Sequence, residues 1–526
     1  MEKRLLLATA LSLAILLGYR YVLFSVYGPS PSSRASHISK NVITHLDKLS
    51  SVQDPDKNRE ALNETPLFLE NSKMKLLLSS KEGAIRQIFL KEYGEISNTV
   101  GLVKVEDTPN FIGYIGFKYP KIDPIKYEIV DQNSHKVIFQ GISKNGFVSR
   151  KEMELGDSGY TLKLTLTFLN QTKQTLPLYY ELTAASSFYG REERFFEAVA
   201  FGNGKRSIFH LNKIAKGAVS IESKTAWVAL KEKYFSLILK PEGDLSGFVV
   251  EPIDDKKNLA LKVWAMPQDI PPDGEWTEHY LLYFGPNQPR ELKKLGPWAE
   301  GTLHYGMFSG ITKFLLWALT YIDLVVKNYG LSVIILTIFV SIILLPLTGI
   351  SYKSMKNMKL LQPEVDKLRE MYKDKPQKLN KELMGLYKRN KVNPLGGCLP
   401  MLIQMPIFIA FYNALVHSIE LKGASFLFIK DLSSPDRAIP LPFQFGPLGS
   451  AINILPILMV IAMSIQQRLN APLAGSGPDA EAQRTMTMVM PFVFGFIFYG
   501  LPSGLVLYWL TNNIVMIFTQ KLLFSK

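Results

Sequence analysis

Residues 331–349 read LSVIILTIFVSIILLPLTG, an uninterrupted run without a single charge. A helix crossing the hydrocarbon core needs about 20 mainly apolar residues, and in lipid only a helix or closed barrel satisfies its own backbone. The run is read as a transmembrane helix, and it sets the fold class. Towards the C-terminus three more runs at 397–419, 485–501 and 503–523 read the same way. A shorter one at 451–466 joins them if Pro456 lies near its start. Towards the N-terminus, residues 1–27 open on Met1-Glu2-Lys3-Arg4 and continue as an apolar stretch. They read as an uncleaved anchor, with Arg20 reaching to the far interface. A cleaved secretory signal is the alternative, but no small-x-small site directly follows the apolar core. The expected fold is an α-helical polytopic membrane protein with six spans.

The chain has 526 residues, 47% apolar and 20% charged, with a net charge of +14 and one cysteine. The lone Cys398 excludes a disulfide framework and a cysteine-based zinc site. The charge is unevenly placed. Residues 351–397 hold twelve basic and five acidic side chains, which marks that loop as cytoplasmic. Both termini are then cytoplasmic, residues 28–305 and the loop 420–450 are exported, and the loop 467–484 is internal.

In the exported part, residues 28–64 carry Pro29-Ser30-Pro31-Ser32-Ser33 and read as a linker. Residues 65–300 read as strands. In 160–169 (YTLKLTLTFL) Leu162, Leu164, Leu166 and Phe168 alternate with polar partners, the period of a half-buried strand. Further strands are expected at 136–142, 147–155, 178–183, 227–230, 234–239, 259–264 and 278–284. Many short strands without intervening helices predict an all-β sandwich. Catalytic motifs are missing from it. Gly202-Asn203-Gly204-Lys205-Arg206-Ser207 resembles a phosphate loop but has Val199 and Arg206 where glycine and a hydroxyl are required; a hairpin turn is expected. The seven histidines have no metal-like spacing.

Residues 305–328 form a helix with a narrow polar stripe (Ser309, Thr312, Lys313, Thr320, Asp323, Lys327) on an otherwise apolar surface. This suits a helix lying in the bilayer surface; packing on the sandwich is the alternative. Residues 350–396 read as a helical hairpin, with arms 351–372 and 377–390 broken at Asp374-Lys375-Pro376. Its basic residues, among them Lys353, Lys356, Lys359, Lys388 and Arg389, suit anionic lipid headgroups, ribosomal RNA or an acidic nascent chain. They equally serve as a topology signal.

Three motifs carry a resemblance. Asn393-Pro394-Leu395-Gly396-Gly397-Cys398-Leu399-Pro400, with Gln404-Met405-Pro406 after it, is similar to the start of the third span in the YidC/Oxa membrane protein insertases. Leu345-Pro346-Leu347-Thr348 with Tyr352 and Ser354-Met355 resembles the end of that family's second span. Leu501-Pro502-Ser503-Gly504-Leu505-Val506-Leu507-Tyr508 resembles its turn between spans five and six. The order and the sides of the membrane agree, and the resemblance covers the whole chain. It implies the Gram-negative-type form: a bacterial inner-membrane protein with a five-span insertase core and a large periplasmic sandwich. Leu395-Gly396-Gly397-Cys398 also mimics a lipidation box, but behind no signal peptide it reads as tight helix packing.

The family resemblance implies a groove that admits the hydrophilic tail of a substrate while its apolar helix passes to lipid. No cofactor, nucleotide or covalent step is needed, because burying the apolar helix supplies the free energy. Residues expected in the hydrophilic groove are Thr337, Ser341, Gln404, Tyr508, Trp509 and Asn512. Thr337, Ser341 and Thr348 fall within about 40° of one another at about 100° per residue. Each could instead bond a neighbouring helix, worth about 0.6–2 kcal/mol. Met405, Pro406 and Pro491 are expected on the apolar slide. Many relatives carry an arginine four residues after the threonine matching Thr337; here Ser341 stands there, so a groove working by polarity and hydration is expected. Nascent membrane proteins are the implied substrates. Ribosome, Sec translocon and anionic lipids are implied partners, DNA is not, and the chain is expected to be monomeric. The sequence ends a few residues past the last span, so ribosome contact is expected at the hairpin and the loop 467–484. A solute transporter would carry a midplane ionic site, which is not found. A glycosyl-modifying enzyme would need inward carboxylates in a sandwich cleft.

Overall fold

The computed structural model describes residues 66–93, 111–119, 125–144, 146–186, 195–253, 259–373, 375–390, 392, 399–442, 450–470 and 478–524. The anchor 1–27, the linker 28–64 and the motif Asn393 to Cys398 lie outside the described residues. Two compact units divide the chain, one within Val26–Leu303 and one within His304–Lys526.

The first unit is a β-sandwich. Among the described residues its larger sheet has nine antiparallel strands in the spatial order Lys205–His210, Glu197–Gly202, Trp227–Lys231, Phe235–Pro241, Glu275–Pro286, Thr161–Asn170, Phe147–Leu155, Lys136–Ile142 and Glu128–Gln132. The facing sheet runs Val219–Ile221, Gly247–Pro252, Leu259–Trp264, Leu176–Ser186 and Gln268–Ile270, and Ile115–Tyr119 also pairs with Leu176–Ser186. Strand alternation explains the stacking. Leu162, Leu164, Leu166 and Phe168 are all buried, while Lys163 between them is exposed, as a pleat with period two dictates. Phe168 packs against Tyr180 of the facing sheet at 4.9 Å between ring centroids, and the Tyr180 and Tyr280 hydroxyls meet at 2.9 Å. A small third sheet joins Leu67–Glu70, Met74–Ser79 and Ala84–Leu90.

The phosphate-loop look-alike is a hairpin turn. Gly202 pairs with Lys205, and Asn203 and Gly204 between them have φ of 51° and 71°. Positive φ at both central positions defines the turn whose twist matches a hairpin, and Asn-Gly is its favoured filling.

The second unit is helical: α1 (Ser309–Val326), α2 (Tyr329–Leu360), α3 (Gln362–Met371), α4 (Pro376–Arg389), α5 (Leu399–His417), α6 (Ile454–Asn470), α7 (Pro478–Phe498) and α8 (Ser503–Phe524). By length and apolarity, Ser309–Val326 and Tyr329–Met358 suit a membrane crossing, and Ile454–Leu469 and Met488–Phe498 are shorter apolar stretches. The core of the unit gathers Leu315 and Leu319 from α1, Leu336 from α2, Phe411 and Leu415 from α5, Met459 from α6, Phe498 from α7 and Tyr508 from α8. Helix α1 turns this face, with Thr312, towards α2 and α5. Thr312, expected on a polar outer stripe, is fully buried and its hydroxyl lies 3.4 Å from the Ala410 carbonyl.

Two boundaries differ from the sequence expectation. The first hairpin arm was expected over 351–372, yet α2 runs unbroken to Leu360 and the arm starts afresh at Gln362. The break falls before Pro363, which lacks an N–H and is tolerated in a first turn but not in a helix interior. Lys353, Lys356 and Lys359 therefore belong to the end of α2 and not to the hairpin. The loop expected over 467–484 is shorter, because α6 extends to Asn470 and α7 begins at Pro478. Pro346, by contrast, sits inside α2 without ending it, as apolar surroundings and neighbouring helices allow.

Candidate functional site

Helix α2 carries hydroxyls on a surface that is otherwise Ile, Leu, Val and Phe. Each bonds back to its own helix: Thr337 to the Val333 carbonyl at 2.6 Å, Ser341 to Thr337 at 2.7 Å and Thr348 to Leu344 at 2.9 Å. This back-bonding satisfies the donor locally. The oxygen lone pairs are left to face whatever lies beside the helix.

Beside Ser341 and Thr348 lies a small cavity. It is lined by Ser341, Leu344, Leu347 and Thr348 of α2, Gln404 of α5, and Asn512 and Met516 of α8. Its volume open to water centres is about 20 Å³, enough to seat a water molecule. The Ser341 hydroxyl lies 3.4 Å from Asn512 Oδ1. Gln404 Nε2 donates to the Tyr508 hydroxyl at 2.5 Å, and the Tyr508 ring stacks on Phe411 with centroids 4.0 Å apart. The cavity is thus half polar and uncharged, with hydroxyl and amide groups from three helices converging on it.

Of the groove residues expected from sequence, Ser341, Gln404 and Asn512 line this cavity. Tyr508 is buried one turn before Asn512 and reaches the cavity through Gln404. Thr337 is buried a turn away from it. Trp509 lies elsewhere. It packs among Phe408, Phe498 and Phe494 at 4.9, 5.2 and 5.9 Å, and its Nε1–H finds no acceptor among the described residues. The slide residues also separate. Met405 is 49% exposed and Pro406 half-buried, but Pro491 is buried. The outward face of α7 is carried by Met488 and Phe492 instead, 72% and 64% exposed. Lys353, Lys356, Lys388 and Arg389 are exposed, and the Lys359 side chain lies outside the described residues.

Leu344, Leu347 and Met516 were missed by a search for polar residues. Their spacing held the signal: Leu344 follows Ser341 at i+3, Leu347 follows Leu344 at i+3, and Met516 follows Asn512 at i+4, each a pair of neighbours on the helix surface. Among the described residues no group of three His, Cys, Asp or Glu could hold a metal ion.

The family described as 60Kd inner membrane protein matches residues 321–526, and the one described as YidC periplasmic domain matches residues 67–318. The membrane protein insertase YidC of Pelobacter propionicus is 32% identical over 99% of this chain and 98% of its own length. That of Geotalea daltonii is 30% identical over the same shares. Among solved structures, the active YidC insertase crystal structure with the first transmembrane domain resolved is 19% identical, has a TM-score of 0.37, and covers 87% of this chain and 92% of its own. With relatives matched from end to end at these identities, the chain belongs to the YidC family of membrane protein insertases.

Proposed function

We propose that this chain moves hydrophobic segments of nascent proteins from the cytoplasm into the bacterial inner membrane, with the cavity between α2, α5 and α8 as the deep end of the path. One observation carries this reading: within an apolar helical core, Ser341, Thr348, Gln404 and Asn512 converge on one uncharged cavity with room for water. A hydrophilic substrate tail entering such a site exchanges bulk water for hydroxyl and amide partners. That lowers the cost of bringing unpaired polar groups into the membrane. The apolar segment behind it gains by partitioning into lipid. Exposed Met405, Met488 and Phe492 offer the apolar surface along which it leaves.

In this reading six spans cross the membrane, the termini and the α3–α4 hairpin are cytoplasmic, and the sandwich is periplasmic. The exposed row Phe314, Trp317 and Tyr321 on α1, with ring centroids 6.0 and 4.8 Å apart, suits the aromatic belt of a membrane interface and supports the reading of α1 as a helix lying in the bilayer surface. Lys388 and Arg389 at the end of α4 face ribosome or anionic lipid, and the chain works as a monomer, alone or beside the Sec translocon. Liposomes containing only this chain test the proposal. A short single-span substrate added during synthesis should become protected from protease. Equal protection in empty liposomes would refute it.

A further inference from the structure

The connection between α5 and α6 contains Lys422-Gly423-Ala424-Ser425-Phe426-Leu427-Phe428-Ile429-Lys430. Phe426 and Ile429 close a tight turn by exchanging backbone hydrogen bonds, both 2.9 Å. The base of the turn is firmly seated. Ile429 and Leu432 are buried in the core of the helical unit, and the Phe426 ring lies so close to Gly330 that a β-carbon there would meet it at 2.1 Å. The tip is the opposite. Leu427 is 81% exposed and Phe428 42%.

Leu427 also has φ of 52°. Among the described residues four other non-glycine positions share a positive φ: Asn203, Asp273, Lys327 and Arg437. Leu427 is the one with a branched apolar side chain. A left-handed conformation costs an ordinary L-residue while glycine or asparagine adopts it readily, so a strained backbone here holds an apolar side chain outwards into the open.

The position of the tip says what it meets. Phe426 rests on Gly330, at the first turn of α2, and the uncharged run of that helix begins beside it. Lys422 and Lys430 flank the tip, and Lys327 stands just before α2. Two apolar side chains at the end of a span, with Lys422 and Lys430 before and after them in a segment that also carries Glu420 and Asp431, match the layered chemistry of a bilayer interface: acyl chains inside, polar headgroups outside. We propose that Leu427 and Phe428 are a lipid anchor that dips into the membrane interface at the end where α2 begins, fixing the depth of the helical unit there. The proposal rests on α2 spanning the membrane.

The test uses the full chain with Cys398→Ala, reconstituted in phosphatidylethanolamine–phosphatidylglycerol vesicles. A single environment-sensitive fluorophore is placed at Leu427→Cys, Phe428→Cys, Ile342→Cys on the exposed side of α2, or Glu128→Cys on the sandwich. Labels at 427 and 428 should emit at shorter wavelength than the label at 128. Lipids spin-labelled near the headgroup should quench them about twofold or more over that label. Quenching by aqueous iodide at 427 and 428 equal to that at 128 would overturn the proposal. Shielding from both quenchers would also overturn it, because protein would then cover the tip. The label at 342 sits near the middle of the expected span, so it is read with lipids spin-labelled deep in the acyl chain, and it separates the two claims. Quenched by lipid while 427 and 428 are not, it leaves α2 in the membrane and removes the anchor alone. Unquenched, it removes both.

Discussion

Gln404 donates its side-chain amide to the hydroxyl of Tyr508 at 2.5 Å, tying α5 to α8 beside the cavity, while the Tyr508 ring stacks on Phe411 of the same α5. One side chain thus makes a polar and an aromatic link between the same two helices. The two contributions separate by substitution. Tyr508→Phe keeps the stack and loses one hydrogen bond, about 1 kcal/mol. Tyr508→Ala loses a fully buried ring, about 3–5 kcal/mol. Unfolding in mixed micelles measures both, and equal losses would show that the stack contributes little.

Ser341 presents an uncharged hydroxyl to the cavity. Its proton bonds the Thr337 carbonyl, so the cavity meets an oxygen lone pair and no cation there. Ser341→Ala should slow insertion of a single-span substrate by about three- to thirtyfold, the worth of one hydrogen bond of about 0.6–2 kcal/mol in a membrane. Ser341→Arg should favour substrates with acidic tails over neutral ones. An inert wild type, active only with arginine at 341, would end the reading of a groove that works without fixed charge.

The residues themselves show why some of this was legible in sequence. Strands at 136–142, 147–155 and 259–264 match Lys136–Ile142, Phe147–Leu155 and Leu259–Trp264 in the structure, because alternation or a short apolar run bounded by turns leaves few other readings. Glu128–Gln132 was not seen: all five residues are exposed at a sheet edge, so no burial pattern marks it. Met74–Ser79 escaped for the opposite reason, its MKLLLS run lacking a clear period. In the site, the hydroxyls and amides stood out against apolar helices. The packing of Trp509 on Phe408 and Phe498 is not legible from pattern alone, which does not say which face of α8 meets those rings. The continuity of α2 to Leu360 is not legible from Lys353 and Lys356, because charge ends an apolar run without ending a helix.

Lys151 makes the sandwich sensitive to pH. It is fully buried, and its ammonium donates to the carbonyls of Glu82, Gly83 and Gly113 at 2.9, 3.2 and 3.0 Å. Burial pushes it from 10.5 down to about 7, with the Glu82 charge opposing. Between about pH 7 and 10.5 the unfolded chain therefore holds a proton that the folded one has released. Stability rises with pH across that window, by at most about 1.4 kcal/mol per unit, and this group adds no slope below it. Denaturant unfolding of the full chain at pH 7 and 9, followed through the β-sheet signal, should show the rise. Lys151→Met should remove it and, at neutral pH, cost about 1–3 kcal/mol as the buried Gly83 and Gly113 carbonyls and the part-buried Glu82 carbonyl lose their donor. An unchanged slope in the variant would exclude Lys151 as its source.

Gly495 sets the spacing of α6 and α7. A β-carbon built on it would lie 2.3 Å from Val460 Cγ2, far inside contact distance. Valine is held to one strongly preferred rotamer in a helix, so the methyl cannot swing aside and the helices must part. Close approach at a small residue is how membrane helices gain packing without a hydrophobic drive between them. Gly495→Ala should therefore destabilise the helical unit by about 1–3 kcal/mol. Val460→Ala should cost less by itself and restore most of the loss when combined, giving a coupling of about 1 kcal/mol or more. Additive losses in the mixed-micelle unfolding cycle would mean that the two helices are not held together at this contact. Recovery by the smaller Val460 substitute would locate the tight seam of α6 and α7 at this pair.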